Sequence, residues 1–208
     1  DEFPQRALKR LLRRAKDTKF GINYRFKKVL GSDNPLITFQ RFIPIHDYDS
    51  MYAKWWHRTI KGEEDVAWPG KINKFALSSG TSGSPSKQLP ISRSLLRKIR
   101  RASLKQIQYL ANYDFPKEFF DTYILGVGGS TTLTKVDKRK EGDLSGIINA
   151  NLPNFMSVIY KPEKEITDMT DWDLKIEKMV EQAPNWNVGI IVGIPSWIQI
   201  LLEKIIRE

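Results

Sequence analysis

Apolar positions in the first sixteen residues recur at helical spacing. Ala7, Leu8, Leu11, Leu12 and Ala15 fall on one stripe, and Arg6, Lys9, Arg10, Arg13, Arg14 and Lys16 fill the gaps, the pattern of an amphipathic helix docked by one face. From 20 to 42 aromatic, basic and turn residues alternate, with Gly31-Ser32-Asp33-Asn34-Pro35 as a loop. A short helix is predicted over 49–60; it carries Met51, Tyr52, Trp55, Trp56 and Ile60, and the spacing of the tryptophans assigns them to a core. Ser92 or Ser94 caps a long helix that runs to about 112, with Leu95, Leu96, Ile99, Ala102, Ile107 and Leu110 inward. The run 122–127 reads as a buried strand ending in Gly128-Gly129-Ser130, and the charge-rich stretch 134–146 as an exposed loop. Thr170 opens a helix through about 182, Pro184-Asn185 breaks it, 188–194 is a β-branched strand, and Pro195 starts a helix with Ile198, Leu201, Leu202 and Ile205 on one side. Strand and helix alternating in this way predict an α/β fold, a mixed, mostly parallel sheet flanked by helices. The expected organisation is a mostly helical lead-in over 1–70 and an α/β part over 71–208.

Composition narrows the chemistry. With no cysteine, disulfides, thiol nucleophiles and cysteine-bound metals are excluded, and His46 and His57 are the only imidazoles. Neither histidine lies in a hydrolase motif, so both are expected as surface or packing residues, and no catalytic or metal-ligating side chain is assigned. No apolar run approaches the roughly 20 residues that span a bilayer, and a cytoplasmic location is expected. The net charge of +10 raises a basic module for nucleic acid or an anionic membrane as an alternative. Much of that excess sits on the solvated face of the first helix, so neither partner is expected.

The chemically loaded segment follows the apolar run Phe75-Ala76-Leu77: Ser78-Ser79-Gly80-Thr81-Ser82-Gly83-Ser84-Pro85-Ser86-Lys87. By composition alone such a cluster is a solvated turn. The order of residues also suits a polyphosphate, because glycines admit close approach, successive N–H groups converge on oxygens, hydroxyls add donors and a lysine adds a point charge. It is neither a Walker A loop nor a dinucleotide fingerprint.

This loop resembles the phosphate-binding loop of the acyl-adenylate-forming superfamily. Its surroundings, Ile43-Pro44-Ile45-His46-Asp47-Tyr48, Ile60-Lys61-Gly62-Glu63, Trp68-Pro69-Gly70 and Lys87-Gln88-Leu89-Pro90-Ile91-Ser92, are similar to the N-terminal part of the Gretchen Hagen three family of acyl-acid amido synthetases. The distance from Gly80 to Lys87, one residue longer than in the common adenylating loop, and Gly193-Ile194-Pro195-Ser196-Trp197 fit the same family. The resemblance implies the N-terminal part of an adenylate-forming large domain that uses ATP and Mg2+. Ser78, Ser79, Gly80, Thr81, Ser82, Gly83 and Lys87 would hold the β- and γ-phosphates, and Gly128, Gly129, Pro195, Ser196, Trp197 and Arg101 would form the acyl pocket. The family has a carboxylate-binding arginine on the helix after the loop; an ungapped count lands on Gln106, with Arg101 or Lys105 as substitutes in another register.

The implied reaction is activation of a carboxylic acid as acyl-AMP followed by amide formation with an amino acid. An acyl-CoA ligase of the phenylacetate type is the alternative within the superfamily. Segments that would bind adenine, ribose and metal are expected in a C-terminal part absent from these residues, so the piece alone is expected to be inactive.

Overall fold

The computed structural model describes residues 2–78, 86–153, 156 and 158–207. Two compact units emerge, Asp1–Phe75 with Leu89–Ser92, and Ala76–Gln88 with Arg93–Glu208.

The first unit is built from α1 (Glu2–Ala15), α2 (Lys19–Asn23), α3 (Phe26–Leu30), α4 (Pro35–Phe42), α5 (Tyr48–Met51) and α6 (His57–Ile60), the last two joined by a π-helical turn at Tyr52–Trp56. Leu12 and Ala15 of α1 are buried with Tyr24, Phe26, Val29, Trp55 and Val66, while Leu11 turns out to solvent. Trp55 is core, as its spacing predicts, with the Phe20 ring 5.2 Å away edge-on. The segment 20–42 holds three short helices on either side of the expected loop, which spans 31–34 before Pro35 opens α4. Helices of five and eight residues span too few turns to display a period, and their caps are the better signal: Thr18 Oγ1 accepts from Gly21 N at 3.0 Å, and Asn34 Oδ1 from Ile37 N at 3.2 Å ahead of Pro35. His46 is a packing residue, its Nε2 2.8 Å from the Tyr24 hydroxyl.

Strand β1 (Lys74–Leu77) and β2 (Gln88–Pro90) precede α7 (Arg93–Tyr109), which ends in a 3-10 turn, Leu110–Asn112. Then follow β3 (Tyr123–Val127), β4 (Thr134–Val136), β5 (Arg139–Gly142), α8 (Leu144–Asn149), β6 (Tyr160–Lys161), α9 (Lys164–Thr167), α10 (Trp172–Gln182), β7 (Val188–Gly193) and α11 (Pro195–Arg207). One sheet has the order β2-β1-β5-β4, and the other, β6-β3-β7, is parallel throughout. In β3 and β7 Ile124 faces Ile190 and Val127 faces Gly193, with a register shift after Tyr123. Gly189 sits at that shift because a Cβ there would overlap the Thr122 side chain. The core of this second unit joins Leu125 and Val127 of β3 to Ile176, Met179 and Val180 of α10 and Leu201 of α11.

Three expectations need correction. The stretch 134–146 is a β-hairpin and the start of α8 rather than an exposed loop; Asp137, at φ 52°, makes the turn, and Glu141 is buried. Lys135 lies on the outer strand β4, where charge deters edge pairing, Lys138 is in the turn and Lys140 is on β5, which together give a loop-like composition. The helix before Pro184 starts at Trp172, capped by Asp171 Oδ1 accepting from Leu174 N at 3.0 Å, not at Thr170. Leu95, Ala102 and Leu202 face outward.

Thr18 is the residue on which the α1–α2 corner turns, since its hydroxyl also donates to Ala15 O at 2.7 Å and it is 2% exposed. Thr18→Ala is expected to cost about 1–2 kcal/mol in urea denaturation, the usual range for a lost helix N-cap. An unchanged urea midpoint would remove the corner from the list of stability determinants.

Candidate functional site

The serine loop leaves β1 and returns at Lys87. Ser78 N donates to Lys87 O at 3.0 Å and Lys87 N to Ser78 Oγ at 3.3 Å, so its stem is closed by a backbone ladder and a hydroxyl. Ser79, Gly80, Thr81, Ser82 and Gly83 lie outside the described residues. Beside the stem, Gln88 Nε2 donates to Glu141 Oε1 at 2.9 Å, and Arg139 Nε donates to the same oxygen at 2.6 Å.

A cavity of about 250 Å3 opens at the carboxyl ends of β3 and β7, where parallel strands leave a crevice for ligands. One wall is a stripe of α7: Leu96, Ile99, Arg100, Ser103 and Leu104, spaced at i, i+3, i+4, i+7 and i+8. Its base is Gly126, Val127 and Gly128 with Val192 and Gly193, and Ser145, Ile148 and Asn149 of α8 close another side. Met156 and Tyr160 complete an apolar surface with few polar groups. Arg100 is the cation in this lining; Arg101, one residue on, points to an exposed face about 100° around the helix and is not part of it. Gly128 is a wall residue. Pro195 and Ser196 are exposed at the start of α11 and outside the lining. Trp197 packs into the core, its ring 4.4 Å from that of Trp172, and reaches a neighbouring hollow lined also by Gly129 and Lys175.

Residues 128–132 run past the end of β3, and neighbouring elements take up their polar groups. Lys175 of α10 is 2% exposed, and its Nζ donates to Gly128 O at 3.0 Å, Gly129 O at 3.3 Å and Thr167 O at 3.3 Å. Those three carbonyls match the three N–H bonds of an ammonium group. Burial pushes the Lys175 ammonium down from the ordinary lysine range, and the negative charges of Asp168 and Asp143 push it back. Asp168 O accepts from Ser130 Oγ and Thr132 Oγ1, both at 2.9 Å, and its carboxylate accepts from Thr131 Oγ1. Gly129 N donates to Ser145 Oγ at 3.1 Å. A second cavity of about 420 Å3, lined by Thr131, Tyr160, Lys161, Lys164 and Asp168 among others, adjoins the first through Gly126 and Asn149.

Sequence reading missed Arg100, Ser145, Asp168 and Lys175. For Lys175 a signal existed: it stands on the apolar stripe of α10 with Ile176, Met179 and Val180, where a charge is out of place unless it is used. Arg100 was legible in the same way, on the stripe with Leu96 and Ile99. Ser145 and Asp168 carried no comparable mark, since short polar residues near helix ends are common. Among the described residues no group of three His, Cys, Asp or Glu side chains could hold a metal ion, and no helix is long and apolar enough to cross a membrane.

The Lys164 ammonium, and after it the Thr131 hydroxyl, holds the Asp168 carboxyl below the ordinary carboxylate value. A depressed folded value makes the contribution present above the unfolded value, near pH 4, and lost as pH falls through the folded one. Asp168→Asn keeps an oxygen for Thr131 and removes the titration. Its loss of stability between about pH 6 and about pH 3 should therefore be smaller than that of the wild type in urea denaturation. Parallel acid limbs in the two proteins would refute this.

A model of the GH3 family N-terminal domain matches residues 1–132. No curated protein matches the sequence. Among solved structures, a GH3.15 acyl acid amido synthetase superposes with a TM-score of 0.71 at 17% identity, over 94% of this chain and 34% of that one. The structure of AtGH3.15 acyl acid amido synthetase in complex with 2,4-DB superposes with a TM-score of 0.64 at 18% identity, over 95% and 34%. At these identities the likeness is one of fold, and this chain spans about a third of the length of either structure. With the family model covering well over half of its residues, the chain belongs to the GH3 (Gretchen Hagen three) family.

Proposed function

We propose that this chain is the N-terminal part of an ATP-dependent acyl-acid amido synthetase, and that the cavity beside β3 receives the acyl acid. The observation that carries this reading is the cavity itself: a largely apolar chamber of about 250 Å3 at the carboxyl ends of two parallel strands, with the cation Arg100 in its wall. That combination suits an amphipathic anion such as a medium-sized carboxylic acid, whose body is buried while its carboxylate meets a guanidinium. The names of the structural neighbours, acyl acid amido synthetases, and the 2,4-DB bound to one of them support it.

In the first step a carboxylate oxygen attacks the α-phosphorus of ATP; a P–O bond forms and pyrophosphate leaves. The amino group of an amino acid then attacks the acyl carbon, AMP leaves, and the amine gives up a proton. No protein nucleophile is required, so the chain's work is placement and charge compensation. Arg100, rather than Arg101, would pair with the carboxylate. Lys87 and the Ser78 hydroxyl, at the closed stem of the serine loop, would meet the phosphates, with Ser79, Gly80, Thr81, Ser82 and Gly83 supplying the rest. Magnesium would accompany ATP. The described carboxylates form no cage for it, and no step is assigned through it.

Pyrophosphate exchange with the full-length protein, screened over aromatic and aliphatic acids, tests the reading. Arg100→Ala should raise KM for the acid about tenfold or more and leave KM for ATP within about twofold, as loss of a charge-assisted bond implies. Arg101→Ala should change neither. Lys87→Ala should slow exchange through ATP. Equal behaviour of the two arginine variants would displace the carboxylate from this cavity, and the absence of exchange with every acid would defeat the adenylation reading.

A further inference from the structure

Lys175 is a buried cation that the adenylation steps leave unused. Its Nζ lies 3.0 Å from Gly128 O. That carbonyl and the N–H of Gly129 belong to one planar trans peptide, so they point in opposite directions. The Gly129 N–H ends on Ser145 Oγ at 3.1 Å, on the side away from the lysine. Ser145 lies in the cavity wall with Gly128 and Asn149, and among the described residues its own O–H has no acceptor. The three groups make one directional chain: ammonium to carbonyl, amide N–H to hydroxyl, and a hydroxyl at the cavity wall whose hydrogen is left to donate. Hydrogen bonds in such a chain polarise one another, and a buried positive charge at its head strengthens every donor downstream. The bonds to Gly129 O and Thr167 O hold the ammonium in place, and the Asp143 side chain lies so close to Gly129 that a Cβ there would collide with it.

We propose that Lys175 is the positioning residue of a polarised donor relay, Lys175 to the Gly128–Gly129 peptide to Ser145, and that the Ser145 hydroxyl recognises the carboxylate of the acyl acid in the cavity. The proposal rests on the adenylation reading and deepens it. Arg100 supplies charge from α7, and Ser145 supplies a directed hydrogen bond from α8. Ser145 is the group that touches substrate; Lys175 acts through it. A relay of this kind favours an anionic oxygen over a neutral one, which a merely structural role for either residue would not do.

Full-length protein is titrated calorimetrically with phenylacetate, benzoate and hexanoate and with the primary amide of each, alongside pyrophosphate exchange. For an acid that supports wild-type exchange, Lys175→Met and Ser145→Ala should each lower the acid-to-amide affinity ratio about tenfold, with KM for ATP within about twofold. Ser145→Thr, which keeps a hydroxyl, should restore most of the ratio. Equal weakening of acid and amide, or an unchanged ratio in folded Ser145→Ala, overturns the relay. A wild type without exchange for any acid defeats the adenylation reading instead. Amide hydrogen exchange over 128–132 then decides the positioning role, with faster exchange in Lys175→Met supporting it and unchanged exchange overturning it.

Discussion

A parallel strand that ends at a ligand crevice leaves its last peptides without a ladder partner, and buried peptides must find one. At the end of β3 the solution is the Lys175 ammonium. It takes the Gly128 and Gly129 carbonyls, while Asp168 takes the hydroxyls of Ser130, Thr131 and Thr132. Without a group of that reach and charge, the Gly128 and Gly129 carbonyls would lose this donor. Each unmet polar group would cost about 1–3 kcal/mol. Placement of α8, which packs its Gly146 against Ser130 O, depends in turn on where this loop runs. The cavity wall formed by Ser145, Ile148 and Asn149 follows from that placement.

Burying an ammonium carries a desolvation cost, visible in the lowered proton affinity of Lys175. Backbone carbonyls rather than a carboxylate meet it directly, and Asp168 and Asp143 act from farther away. The carbonyls take the ammonium's hydrogen bonds, and the two carboxylates offset part of its charge. A direct ion pair would have satisfied the lysine but would have left the Gly128 and Gly129 carbonyls to find other donors. The choice of partners therefore bears on the cavity as well as on stability.

The family and the alternation of strand and helix were legible because both are local: a serine-glycine loop at fixed spacing, β-branched runs, and Pro195 at the first turn of α11. Most of the candidate site was less so. Arg100 and Arg101 differ by one position in a run rich in arginine and lysine, and only the stripe through Leu96, Ile99 and Ser103 tells them apart. Placing Leu95 and Ala102 on the inner face mixed two sides of α7 and hid that stripe. The charged 134–146 stretch looked solvated because hairpin strands of three and four residues show no period; the buried Glu141 is held by Arg139 nearby and by Gln88, distant in sequence. Lys175 pairs with residues near 128 and 167, contacts that no local pattern encodes.

On the other side of β3, β7 is the outer strand of this sheet among the described residues, and its surface is unlike that of an ordinary edge. Ile191, Val192 and Ile194 are 37%, 52% and 46% exposed, and neither lysine nor proline interrupts 188–194. Natural edges are guarded by charge, bulges or proline because unpaired strands recruit others. The outer strand β4 has that guard in Lys135, whereas β7 has only the bulge at Gly189 near its start. Val192 and Gly193 also line the cavity, so this outer strand forms part of the wall that receives the acyl acid in the proposed reaction. The cavity wall and the exposed face of β7 therefore share residues, and a change at Val192 bears on both.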